Sequence, residues 1–249
     1  MIDAFCIEPN WVQVTHHTIN TKKLPSGAKL RIVQLSDFHM TSFNGRVRSM
    51  INLTSAGKPD IIVLTGDYLN RKDPAGFAEL TRVGRELSTI APTYAVEGNW
   101  DNYKHIKALE DGGVKSITGW EVIPTRKGGK VALGHLWWSM PMAAVYVPPD
   151  VEPLYKVLLC HKPDTFDSAA SKGIDLMLSG HTHGGQVRLP IFGALLPDRD
   201  MIGKYQAGLY KIGKSMLYVN RGMGMESSAP QVRFYCRPEI SVIDLVSSN

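Results

Sequence analysis

The sequence predicts an α/β fold in which a second sheet packs on the first, and three observations carry that prediction. Short apolar runs rich in valine, isoleucine and leucine recur, segments of helical spacing lie between them, and after residue 186 strand-like runs continue without helices. The runs are "LRIVQLS" (30 to 36), "DIIVLTG" (60 to 66), "TYAVEG" (93 to 98), "YKVLLCH" (155 to 161) and "IDLMLSG" (174 to 180). Each is too short for a helix and closes on a polar residue or glycine, the pattern of a buried strand. Helices are expected over roughly 45 to 57, 75 to 90, 103 to 112 and 164 to 172. The later runs "GQVRLP", "AGLYKIG", "SMLYVNRG", "QVRFYCRP" and "EISVIDLV" read as strands joined by turns.

With 249 residues, 43% of them hydrophobic, and no internal repeat or linker, the chain is expected to form one domain over 1–249. A net charge of +5 suits anionic substrates or an anionic surface. The basic residues are scattered, so no nucleic-acid groove is indicated. Cys6, Cys160 and Cys236 form no C-x-x-C pair, which argues against a disulfide framework or a cysteine zinc site. No run of about 18 apolar residues exists, and "MIDAFCIEPNWV" lacks the basic-then-apolar order of a signal peptide. The expected location is therefore cytoplasmic.

The chemistry lies just beyond the strands. The first run is followed by Asp37 and His39, the second by Asp67, the third by Asn99 and Asp101, the fourth ends in His161, and the fifth is followed by His181 and His183. Ligand sites of open α/β sheets collect at such ends, and these residues are expected along one rim of one sheet. Asp37 and His39 are one residue apart, so an extended chain would point both to the same side; the same holds for His181 and His183. Mixed carboxylate, amide and imidazole donors suit divalent manganese, iron or zinc, and they are too many for one ion. Two ions about 3.5 to 4 Å apart are the arrangement used for displacement at phosphorus. His16, His17 and His105 stand among polar neighbours and are expected to be solvated.

In this order, D37-x-H39, G66-D67, G98-N99-W100-D101, H161 and G180-H181-T182-H183 resemble the signature of the calcineurin-like metallophosphoesterases. "GHTHGGQVRLP" and the closing "RGMG" and "VRFYCRPEI" look like a bacterial subgroup that includes membrane-associated phosphodiesterases and UDP-2,3-diacylglucosamine pyrophosphatases. The resemblance implies a β-sandwich flanked by helices on both outer faces. It implies one metal site of Asp37, His39, Asp67 and His183, and another of Asp67, Asn99, His161 and His181, with Asp67 bridging. Manganese is the first expectation for the two divalent ions, with iron or zinc as alternatives. The implied reaction is hydrolysis of a phosphodiester or pyrophosphate by a metal-bound hydroxide, with Asn99 also stabilising phosphoryl charge.

The chain departs from the pattern at Trp100, where many relatives carry the histidine of "GNHD". An indole has only an N–H to offer and cannot act as a general acid near neutral pH. A phosphate leaving group, with a second pKa of about 6, needs less help than an alkoxide, which tilts the substrate toward a pyrophosphate or an activated diester. His135 in "LGHLWWS" is a candidate replacement acid, and Trp100 and Asp101 are candidate supporting or substrate-contacting residues. The apolar "RLPIFGALLP" (188 to 197), with "EPNWV" near the start, is a candidate lip for a lipid-bearing substrate or peripheral contact at the inner membrane. The partner expected is thus a phosphate ester, lipid- or nucleotide-linked, with no specific nucleic acid and no protein partner implied. The rival functions are a UDP-2,3-diacylglucosamine pyrophosphatase and, in another class, a non-catalytic scaffold of the same fold.

Overall fold

Runs such as Ile61–Leu64, apolar at every position, become strands buried on both faces in the computed structural model, which describes residues 3–70, 72–189, 193–194, 204–225 and 231–248. One six-stranded sheet has the order β1 (Gln13–Thr21), β14 (Glu239–Ser247), β2 (Lys29–Leu35), β3 (Ile61–Leu64), β4 (Thr93–Ala95), β5 (Lys115–Ser116). The other runs β12 (Gly208–Ile212), β13 (Ser215–Val219), β9 (Leu176–Ser179), β8 (Tyr155–Leu159), β7 (Lys130–His135), β6 (Trp120–Pro124). A small hairpin, β10 (Arg188–Leu189) with β11 (Gly193–Ala194), stands apart. Strands β2 to β5 run parallel, as do β7, β8, β9 and β13.

Alternation along each strand divides the apolar side chains between faces. Ile32, Val63 and Ile243 of the first sheet meet Leu133, Val157 and Leu178 of the second. The other face of the first sheet, with Val33, Ile62 and Leu64, carries α1 (Gly45–Ala56), α2 (Pro74–Ile90) and α3 (Tyr103–Asp111) through Met50, Leu80 and Leu109. The second sheet presents Leu158, Met177 and Leu217 to Phe166 and Ala169 of α4 (Phe166–Ser171). The result is the expected two-sheet sandwich with helices on both outer faces. Each fully buried aliphatic chain in it contributes about 1.5–3 kcal/mol.

Four expectations are corrected. "QVRFYCRP" has strand-like composition but forms no strand: buried Arg233 turns inward and donates to the carbonyls of Cys236, Arg221, Gly222 and Gly224, holding the segment as a loop. The final strand does not join the second sheet but enters the first between β1 and β2, with Ser241 opposite Gln34. His105 is fully buried, not solvated; its ring accepts from the Asn102 backbone N–H in a capping box at the start of α3. His17 is half-buried against the Tyr218 hydroxyl at 3.1 Å, while His16 is exposed as expected.

Candidate metal centre

The candidate ligands come from both sheets rather than one. β2, β3 and β4 deliver Asp37, His39, Asp67, Asn99 and Asp101, while β8 and β9 deliver His161, His181 and His183. The two sets meet across the sandwich: the His181 backbone N–H donates to both oxygens of Asp37 at 3.0 and 3.1 Å. The D-x-H and H-x-H pairs are not extended. Asp37, His39, Asp67, His181 and His183 have φ of 50°, 42°, 59°, 71° and 49°, in the left-handed region that L-residues avoid. Such conformations cost of order 1–3 kcal/mol each and persist only where neighbours fix them. Here Asp37 N–H donates to Gly66 O at 2.9 Å, His39 N–H to Asp67 O at 3.0 Å, and Gly224 N–H to Asp37 O at 2.6 Å. The turns also lie so close that a side chain at Gly98 would overlap the Asp67 carboxylate, and one at Gly180 the Asp37 carboxylate.

Two clusters result, Asp37 with His39 and His183, and Asp67 with His161 and His181, the donor atoms of each within 4.8 Å of one another. All six side chains are buried. Asp67 Oδ2 lies 3.2 Å from His161 Nε2 and 3.6 Å from His39 Nε2, so one carboxylate oxygen faces both clusters. Asp67 Oδ1 is occupied by the Trp100 backbone N–H at 2.9 Å. His183 Nε2 is 3.6 Å from Asp37 Oδ1, and Asn99 Oδ1 is 3.0 Å from His161 Nε2.

The surroundings fix which imidazole nitrogen faces inward. His161 Nδ1–H donates to Thr65 O at 2.7 Å, and His39 Nδ1–H to Asn70 Oδ1 at 2.9 Å, turning both Nε2 atoms to the centre. Asn70 in turn donates to Met225 O at 3.0 Å. His181 is 5% exposed, and neither of its nitrogens has a hydrogen-bond partner among the described residues. Burial and the His161 charge push its pKa down to about 3, leaving a neutral ring with a lone pair to give. A buried imidazole with nothing to bind is costly. Mixed nitrogen and oxygen donors with orphaned atoms fit divalent cations.

Charge within the centre is finely divided. Burial raises Asp37 to about 7. Burial also opposes the Asp67 charge, but His161, His39 and the Trp100 N–H outweigh it and hold that carboxyl well below the usual range. His161 is raised to about 9, because Asp67 and Asp37 overcome its desolvation. A cation in the cluster competes with that proton for the same lone pair.

The remaining candidates act as surroundings. Asp101 accepts from three backbone N–H groups, Asp67 at 2.7 Å, Gly98 at 2.8 Å and Tyr68 at 3.0 Å, pinning the Asp67 and Asn99 turns together. The Trp100 ring stands edge-on to His39 with centroids 5.8 Å apart, beneath Lys72 Nζ at 5.9 Å. His135 ends β7 with its Nε2 3.6 Å from Glu97 Oε2, and burial pushes it down to about 4, so it is neutral near pH 7. Sequence reasoning passed over Asn70, whose place after β3 in "DYLN" was the available signal. Most of the apolar stretch 188–197 lies outside the described residues; within it Leu189 is exposed, and in "EPNWV" Trp11 is exposed beneath the Arg237 guanidinium at 3.8 Å. Among the described residues no helix is long and apolar enough to cross a membrane.

Comparison with known proteins gives a consistent pattern. Residues 30–185 match the family model described as calcineurin-like phosphoesterase. The chain is 32% identical to the phosphodiesterase YaeI of Escherichia coli, over 96% of this chain and 90% of that one. It is 31% identical to the uncharacterized metallophosphoesterase YkuE of Bacillus subtilis over 98% and 88%, and 23% identical to the UDP-2,3-diacylglucosamine pyrophosphatase LpxG of Chlamydia muridarum over 95% and 90%. Among solved structures, GAP50, the anchor in the inner membrane complex of Plasmodium, aligns with a TM-score of 0.52 at 13% identity, covering 88% of this chain and 82% of that one, a likeness of fold.

Proposed function

Because the chain belongs to the calcineurin-like metallophosphoesterase family and is a metal-dependent phosphoesterase, we propose that it hydrolyses a phosphodiester or pyrophosphate bond with a pair of divalent cations, manganese first among them. The observation that supports this most is the placement of Asp67 Oδ2 between His39 and His161, beside a buried His181 with no hydrogen-bond partner among the described residues. In this reading Asp37, His39 and His183 hold one ion, Asp67, His161, His181 and Asn99 the other, and Asp67 is shared. Bound there, the cations would supply Lewis acidity at the phosphoryl oxygens and would lower the pKa of water from about 15.7 to about 7. The protein's own work is positional. Asn70 and the Thr65 carbonyl fix the tautomers of His39 and His161, Asp101 holds the two turns in register, and the Asn99 amide N–H stabilises phosphoryl charge.

A second reading narrows the substrate to a UDP-linked diacyl sugar. It draws on the LpxG relatives and on Trp100, which offers no general acid and so favours a phosphate leaving group. After manganese loading, a panel of a UDP-diacyl sugar, cyclic nucleotides and an aryl phosphodiester tests both readings. Hydrolysis that vanishes with a chelator and returns with manganese is expected. No turnover of any of them by fully loaded protein returns the scaffold reading. Rejection of the lipid alone removes only the second reading.

A further inference from the structure

The segment joining β7 to β8 leaves the rim of the site and runs from Leu136 to Pro149 without one charged residue. It contains the run "LWWSMPMAAVYVPP" and only one short helical turn, Met142–Ala144. Its side chains divide sharply. Leu136, Met142 and Val145 are buried with Phe166 and Ala169 in the outer core of the second sheet. Trp137, Met140 and Tyr146 point to solvent with 44%, 51% and 72% exposure.

This exposure belongs to a braced loop. Lys172 Nζ donates to the carbonyls of Ala143 at 3.2 Å and Val145 at 3.0 Å, and the Trp120 indole N–H donates to Tyr146 O at 2.8 Å. Buried anchors and bonded carbonyls hold three large apolar side chains outward, against the solvent's preference for polar surface. The loop adjoins the candidate metal centre. It begins beside His135, which faces Glu97 two residues before Asn99, and Lys162, next after His161, sets its Nζ 5.3 Å above the Trp138 ring.

We infer that the 136–149 loop docks the protein on an anionic lipid bilayer, with Trp137, Met140 and Tyr146 entering the interface and Lys162 and Lys172 meeting the headgroups. The chemistry of the loop selects that occupant. Tryptophan and tyrosine favour the boundary between headgroup and acyl chain, and an uncharged tip desolvates without stranding an ion. The flanking lysines and a net charge of +5 complement anionic headgroups. Of the acids nearest in sequence to the loop and its two lysines, Asp150 and Asp164 are exposed, while Glu152 is paired with Lys156 at 2.8 Å, Asp167 with Lys204 at 2.9 Å and Asp175 with Lys23 at 2.7 Å. The inference deepens the phosphoesterase reading by bringing the site to a substrate held in a membrane, and it rests on that reading for the site's place beside the loop.

The test is co-sedimentation of the full chain with vesicles of phosphatidylcholine containing about one quarter phosphatidylglycerol, compared with phosphatidylcholine alone. Binding to the anionic vesicles that weakens with salt is expected, and Trp137→Ser/Met140→Ser/Tyr146→Ser should reduce it roughly tenfold or more. The variant's circular dichroism and its hydrolysis of a soluble aryl phosphodiester should match the parent. Absence of vesicle binding, or equal binding by a folded variant, overturns the inference; so does self-association of the parent that the substitutions abolish, since a second copy would then cover the loop. Because vesicle binding is read without turnover, its failure leaves the hydrolytic reading standing, and a failed hydrolysis leaves the docking result readable.

Discussion

The two ends of the sandwich treat charge in opposite ways. At the end where β2 and β3 begin, Arg31 forms a fork with Asp244 at 2.7 and 2.8 Å, its backbone N–H donates to Asp60 at 2.7 Å, and Asp60 also pairs with Arg126. Asp175, just before β9, likewise accepts from the Lys156 backbone N–H at 2.8 Å and from Lys23 at 2.7 Å. These groups are half-exposed, mutually satisfied, and need nothing further. At the end where the same strands finish, buried aspartates and histidines stand on left-handed backbone with donor atoms aimed at one another. Positive φ alone does not separate the two ends, since Lys58 and Lys127 adopt it beside the paired charges; the rim joins it to clustered, buried carboxylates and imidazoles, with His181 left unpartnered among the described residues, and a ligand is what compensates that combination.

Asp67→Ala should have the largest effect at the rim. Removing the oxygen that faces both clusters should empty both, measured as metal content per chain, and lower kcat/KM by roughly a hundredfold or more, equivalent to about 3 kcal/mol. His39→Ala should spare the other ion; equal partial losses in the two variants would contradict a shared carboxylate. Next is Asp101→Asn, which weakens the three-amide clamp. Metal affinity should fall about 10–100-fold, with a stability loss of about 1–3 kcal/mol seen in denaturant titration. Asn70→Ala frees the His39 ring to choose its tautomer, and about a tenfold weaker affinity for one ion alone is expected by calorimetry.

The smallest effect is expected at the opposite end. The hydrogen bond from Arg31 holds the Asp244 carboxyl below the ordinary range. Its stabilisation is therefore present above the unfolded carboxyl's pKa, about 3.9, and fades as pH falls through the lower folded value. Both partners are partly exposed, so Asp244→Asn should cost only about 0–1 kcal/mol at pH 7, lose even that in acid, and leave metal content unchanged. A thermal melt at pH 7 and again near pH 3 checks both the size and the sign.

Much of this was readable in the amino-acid order because each strand is a continuous apolar run with its polar residues concentrated just past the end. The strands β2, β3, β8 and β9, the four helices and the eight polar residues at the strand ends all follow from that punctuation. What could not be read is long-range. Nothing local tells "EISVIDLV" to pair with β2, more than 200 residues earlier. Strand β1, "QVTHHTINT", is a half-exposed edge with no apolar run to announce it. In "QVRFYCRP" strand propensity loses to the four carbonyls that Arg233 binds. The left-handed turns at Asp37 and His39 are equally silent, since neither residue type demands positive φ; the tertiary hydrogen bonds do. The outward face of the tryptophan loop after β7 is silent too, since Leu136 and Met142 are buried while Trp137 and Met140 are exposed.

Crystals soaked in manganese and measured at its absorption edge would show whether two cations share Asp67. Two anomalous peaks are predicted per chain, one among Asp37, His39 and His183 and the other among Asp67, His161 and His181, with Asp67 touching both. A single peak at saturating manganese, or two peaks that leave His181 without a bond, would contradict it.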